Sequence, residues 1–162
     1  MNPEISKSTR HAKITGDFGE TIVLYWLSRH GFECASVDHT GIDLIARNPH
    51  TAEVMGISVK ARSRSTGKGD TALSIPVDNF EKAQAACDAF GCNPYFAIVI
   101  DADDLVRVYL LTQDKLLQVH PPGKTASSWA MTPAWLAQYD ADPEIRQFTF
   151  ECSTGRWWGG AG

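Results

Sequence analysis

The chain has 162 residues, 43% hydrophobic and 21% charged, with a net charge of −4. That length fits one globular domain, 1–162, with a proper hydrophobic core, and the composition contains no low-complexity tract. The longest apolar run, Ile22 to Leu27, is far too short to span a bilayer, and the N-terminus shows no apolar signal core, so no membrane association and a cytoplasmic location are expected.

Charge is unevenly spread: residues 1–70 carry nine Lys/Arg against eight Asp/Glu, and residues 71–162 carry six against eleven. Cys34, Cys87, Cys92 and Cys152 show no paired metal spacing and are expected as buried free thiols.

In chain order, Met1 to about Lys13 is polar without clear periodicity and reads as an arm. Gly16 to His30 has a helical pattern, with Phe18, Ile22 and Tyr25 on one side and Val23, Trp26 and Leu27 beside them. Thr15 or Asp17 can cap its start, and Gly31 supplies a stop. Glu20 has two readings: the partner of Asp17 in a capping box, or a carboxylate leaning over a sheet toward Asp43. Phe32 to Val37 reads as a first strand.

From Gly41 to Lys60, two apolar-rich runs flank the turn cluster Asn48-Pro49-His50, as in a hairpin. Alternation places Asp43 with Ile45, opposite Ile42 and Leu44, and Lys60 with Ser58, roughly 7 Å further along the strand. An acid near the start of one strand and a lysine near the end of the next can meet at one edge of a sheet. Lys60, Arg62, Arg64 and Lys68 form a cationic stretch with Ser63, Ser65, Thr66 and Gly67 between. It either contacts phosphate or is simply a solvated loop.

Ala72 to Val77 is extended and broken by Pro76. Asp78 then caps a helix with Glu81 three residues on, Phe80, Ala83, Cys87 and Phe90 make its buried stripe, and Gly91 ends it. Tyr95 to Ile100 is apolar throughout, as in a strand covered on both faces, and the helix between apolar runs suggests a crossover. Asp101 to Asp104 forms a turn rather than a calcium loop, and Leu105 to Thr112 is the next strand. Further on, Pro121-Pro122-Gly123 breaks the chain, and Thr132-Pro133 starts a helix that buries Trp135 and Leu136. Phe148 and Phe150 alternate as in a strand, and Trp157-Trp158 packs on the body or on a partner subunit.

This order of elements resembles the PD-(D/E)XK nuclease superfamily and, within it, the Holliday-junction-resolvase-like branch. The resemblance rests on Gly16-x-x-Gly19-Glu20, Gly31-Phe32, Gly41-Ile42-Asp43-Leu44-Ile45 and Ile57-Ser58-Val59-Lys60. It covers about residues 13–112 and leaves 113–162 as a C-terminal extension. It implies an α/β, restriction-endonuclease-like fold: a mixed central β-sheet flanked by helices. It also implies hydrolysis of DNA, with Asp43 ligating magnesium or manganese and Glu20 supporting the metal or its waters. Lys60 would orient or help deprotonate the attacking water. Arg62, Arg64 and Lys68 become candidate nucleic-acid contacts, and relatives of this branch suggest a homodimer.

One position departs from the pattern. Two residues before the lysine the family carries Asp or Glu, sometimes Gln, and here Ser58 stands there. Either Ser58 binds metal weakly through its hydroxyl or a water, helped by the Val59 carbonyl, or Glu20 takes over the missing role. Otherwise the site is inactive and the fold binds nucleic acid or a protein partner without cutting. Glu53 faces away on a regular strand, and His39 reads as a loop histidine, so neither joins the site. A third reading, a structural domain assembling through Trp157-Trp158, needs no site at all.

Overall fold

The computed structural model describes residues 6–153. In chain order its elements are α1 (His11–Arg29), β1 (Glu33–His39), β2 (Ile42–Arg47), β3 (Val54–Ser63), β4 (Leu73–Pro76), α2 (Val77–Phe90), β5 (Asn93–Ala102), β6 (Leu105–Thr112), α3 (Gln113–Val119), β7 (Ala126–Trp129), α4 (Pro133–Ala141) and β8 (Arg146–Glu151). A strand as apolar as β5 needs cover on both faces, and it lies in the middle of a six-stranded sheet of order β1-β2-β3-β5-β6-β8. All pairings in that sheet are antiparallel except β3 with β5, which run parallel through the β4–α2 crossover.

The register sorts side chains into two layers. Phe96, Ile98 and Ile100 of β5 point into a core with Phe80 of α2, Leu116 of α3, Tyr139 of α4 and the small β4–β7 sheet. Ala97 and Val99 point the other way, into a core with Val23 and Leu27 of α1. Ile42, Ala86, Cys87 and Cys92 form a third cluster, between β2 and the C-terminal half of α2. His120, Trp129, Trp135 and Tyr139 stack as an aromatic group in the accessory layer.

Several expectations are corrected. α1 begins at His11, about one turn early, so Thr15 and Asp17 lie inside it: the Thr15 hydroxyl donates to the His11 carbonyl, and Asp17 pairs with Lys13. No capping box forms with Glu20, because Asp17 is not at the helix start. Thr15, Gly19, Val23 and Leu27 are the buried face, and Phe18 and Tyr25 look outward. The expected polar arm therefore ends before His11, and its first five residues lie outside the described ones. Asp78 does not cap α2. Pro76 holds that position without a side-chain bond, and Asp78 sits in the first turn, bonded to Lys82 and Asn79.

Phe90 is exposed, and Ala86 takes its place in the buried stripe. The stop at Gly91 forms with the left-handed backbone such a position favours. β3 runs on to Ser63, so Arg62 is a strand residue rather than part of a loop. All four cysteines are free, Cys87 and Cys92 buried, Cys34 and Cys152 half-buried. Trp157-Trp158 lies outside the described residues. Among the described residues, no helix is long and apolar enough to cross a membrane.

Candidate active site

The β2–β3 ladder runs from Arg47–Val54 to Leu44–Ile57. Beyond that pair the strands part, and Asp43 stands in the fork. Its Oδ2 accepts the Val59 N–H at 2.7 Å, so a side chain replaces the missing ladder bond. The turn that leads into β2 is held from below. Gly41 has φ +103°, and a Cβ there would run into the carbonyl of Lys82 on α2. Only glycine fits both the conformation and the space.

Glu20, on α1, lies within electrostatic range of Asp43. Gly19, its neighbour, lets α1 lie directly on β3: a Cβ at that position would sit 2.6 Å from Ala61 Cβ and 3.5 Å from Val59 Cγ1. Half-buried Glu20 holds its proton to higher pH than a free glutamate, first because of desolvation and next because of the Asp43 carboxylate. Two unneutralised acids near each other are costly in a site partly removed from water.

Lys60 pairs in register with Ile98, so it points to the α2 side of the sheet, whereas Glu20 comes from the α1 side. Burial pulls the Lys60 ammonium below its usual range, and Asp43 opposes that pull. Asp43 is thus the charge that both Glu20 and Lys60 feel. Ser58 lies on the Lys60 face one pleat deeper, opposite Phe96, and is only 3% exposed. Val59 presents its side chain to α1 while its N–H serves Asp43.

The cationic stretch divides. Arg62 is exposed on the Lys60 face of β3, with Nη1 on the Ala61 carbonyl. Arg64 is half-buried: its Nη2 donates to the Ala72 carbonyl and its backbone N–H to Asp101, so it braces the following loop. Lys68 is exposed beyond a turn closed by its own N–H to Ser65. β5 runs to Ala102, so the expected turn shrinks to Asp103 and Asp104; Asp101, still in the strand, accepts the Ser63 hydroxyl, and Asp103 accepts the Gly67 N–H, anchoring this loop.

Glu53 and His39, which the sequence leaves outside the site, have other partners. Glu53 accepts from the Tyr95 hydroxyl and from Asn93 at the opposite end of β3. His39 bonds the Thr40 carbonyl and packs edge-on against Phe90. Sequence reasoning gave no site role to Lys7, whose Nζ donates to the carbonyl and hydroxyl of Ser63, or to Asp78 and Lys82, which both act electrostatically on Lys60. Lys7 meets β3 across 56 residues of sequence, and Asp78 and Lys82 act on Lys60 from α2, so none of them leaves a local signature.

Among the described residues, no group of three His, Cys, Asp or Glu side chains converges as a metal cage. Glu20 and Asp43 together still fit a hard divalent cation. Magnesium is commonly held by one or two carboxylates, waters and substrate phosphates, and a cation would relieve the repulsion that adds to desolvation in raising Glu20.

The sheet order, the single parallel pairing and the helices on both faces define a restriction-endonuclease-like α/β fold. A solved structure with this architecture is that of Hjc, a Holliday junction resolvase from the archaeal hyperthermophile Archaeoglobus fulgidus. It superposes with a TM-score of 0.54 at 17% identity, covering 75% of this chain and 92% of that one. No family model matches the chain, and no curated protein matches it.

Proposed function

We propose that the chain is a metal-dependent endonuclease acting on DNA phosphodiester bonds, with its site at the β2–β3 fork. The observation that carries this reading is Asp43: a carboxylate in the gap between two strands, electrically shared by an acid from α1 and a lysine from β3. Asp43 and Glu20 would hold a magnesium or manganese ion, which supplies Lewis-acid activation of water and of the phosphate oxygens. Lys60, whose face is set by the β3–β5 register, would offer its ammonium to the negative charge that builds on the phosphate oxygens. Arg62, exposed two residues on along the same strand face, and Lys68, exposed in the loop that follows, would suit flanking phosphates. The Hjc likeness supports a nuclease of structured DNA as the class to test first.

The test is cleavage of supercoiled plasmid, single strand and four-way junction with magnesium or manganese. Asp43→Ala and Lys60→Ala are each expected to lower the rate by about 100-fold or more. Equal cutting by either variant and the wild type would remove the site from this fork. A second reading, a nuclease fold that only binds, is favoured by Ser58 and by the two-carboxylate donor set. It predicts salt-sensitive DNA affinity without cutting in either metal.

A further inference from the structure

The face of β3 that carries Lys60 and Arg62 is the face against which α2 packs. The start of α2 is pinned on both sides of this edge. Gly41 abuts the Lys82 backbone two residues before Asp43, and the Val77 N–H donates to the Thr125 carbonyl at 3.0 Å. The Gly41 contact sets Lys82 against the turn that leads to Asp43, and the Asp78 and Lys82 side chains, like Arg62, lie within electrostatic range of Lys60. Three cations share one rim of a chain whose net charge is negative. Lys82 is bonded to Asp78 at 2.6 Å, with both side chains half exposed.

We propose that the first two turns of α2 form the second wall of the phosphate groove, and that Lys82 is a phosphodiester contact which Asp78 masks until DNA arrives. This rests on the nucleic-acid reading above. An exposed i, i+4 ion pair is weak and screened by salt, so a phosphate can displace Asp78 from Lys82 at little cost. Asp78 in turn repels phosphate from the same rim, and so discriminates against ligands that bring too little charge to compete. A helix-stabilising pair with no role in binding would behave differently: removing either member would leave affinity alone.

The experiment is DNA binding by fluorescence anisotropy, with a labelled duplex and a four-way junction in EDTA, across about 50 to 200 mM salt. Lys82→Ala is expected to weaken binding about 3- to 10-fold and to lower the salt slope by about 1. Asp78→Asn is expected to tighten it about 2- to 5-fold, a gain from losing an acid. Lys82→Gln should repeat the loss, and Lys115→Ala, on α3, should change nothing. Unchanged affinity in both Asp78→Asn and Lys82→Ala, or weaker binding in Asp78→Asn, overturns the proposal while leaving the fork intact. Absence of binding by the wild type overturns the nucleic-acid reading and this inference together.

Discussion

Glu20 is partly desolvated and lies near a like charge, Asp43, and together these have a cost which can be measured. Its folded carboxyl holds a proton to higher pH than in the unfolded chain. The stability this lends is therefore present below the ordinary glutamate range and is lost as pH rises through the raised value. Glu20→Gln removes the repulsion, and because the group is only partly buried, solvent screens most of the gain. We expect about 0.5 kcal/mol more stability near neutral pH, together with a flatter pH dependence in thermal melts. The same variant is expected to lose metal-dependent cleavage, so stability and activity should move in opposite directions. A destabilised Glu20→Gln protein would mean the acid is structurally satisfied rather than held in strain.

Ser58 sets a second residue-scale prediction. At 3% exposure it fills a slot sized for a small neutral group opposite Phe96. Ser58→Asp restores a third carboxylate beside Asp43 but buries a charge, at a cost of roughly 2 to 4 kcal/mol without metal. Millimolar magnesium should return part of that loss as a thermal shift larger than in the wild type. If magnesium does not raise its melting temperature at all, the side chain at 58 does not reach the metal position.

At the scale of elements, legibility followed the range of the interaction that fixes each one. The β2–β3 hairpin and the apolar β5 were readable because strand alternation and full burial leave local patterns, and the β3–α2–β5 crossover followed from them. The start of α1 was misjudged because no cap residue marks it: Arg10 precedes the helix without a side-chain bond. Short α3 and β7 left no usable pattern. β7 is Ala-Ser-Ser-Trp, and it becomes a strand only by pairing with β4, some fifty residues earlier in the chain (register Leu73–Trp129).

The site shows the same division. The face of Lys60 could be read from strand alternation, whereas Ile42 packs in the cluster that Ile45 joins rather than with Leu44, so alternation does not hold through the start of β2. The close approach granted by Gly19, the wedge of Gly41 against Lys82 and the proximity of Asp78 could not be read, since each depends on where two distant segments touch.

For the whole molecule, the sheet joins two parts of the chain along a single seam. β1, β2 and β3 carry the fork, and β5, β6 and β8 carry most of the accessory cover. Nine register pairs between β3 and β5 connect them. A central ladder of this length is the last to open in native-state fluctuations, whereas a fork between diverging strands opens first. The candidate site thus stands where the β2–β3 ladder ends, beside the longest pairing in the sheet.

Val59 turns that arrangement into a built-in gauge. Its amide proton is held by the Asp43 carboxylate instead of by a neighbouring strand. Its exchange with deuterium should therefore report on how that carboxylate is engaged, while the β5 amides next to it stay protected. Asp43→Ala should speed exchange at Val59 about tenfold or more, since the lost bond to a charged acceptor is worth at least about 1.5 kcal/mol, and leave Ile98 and Val99 slow. In the unaltered protein, magnesium that draws Asp43 away from the amide should accelerate the same proton, giving a readout of metal arrival that needs no substrate and no cleavage.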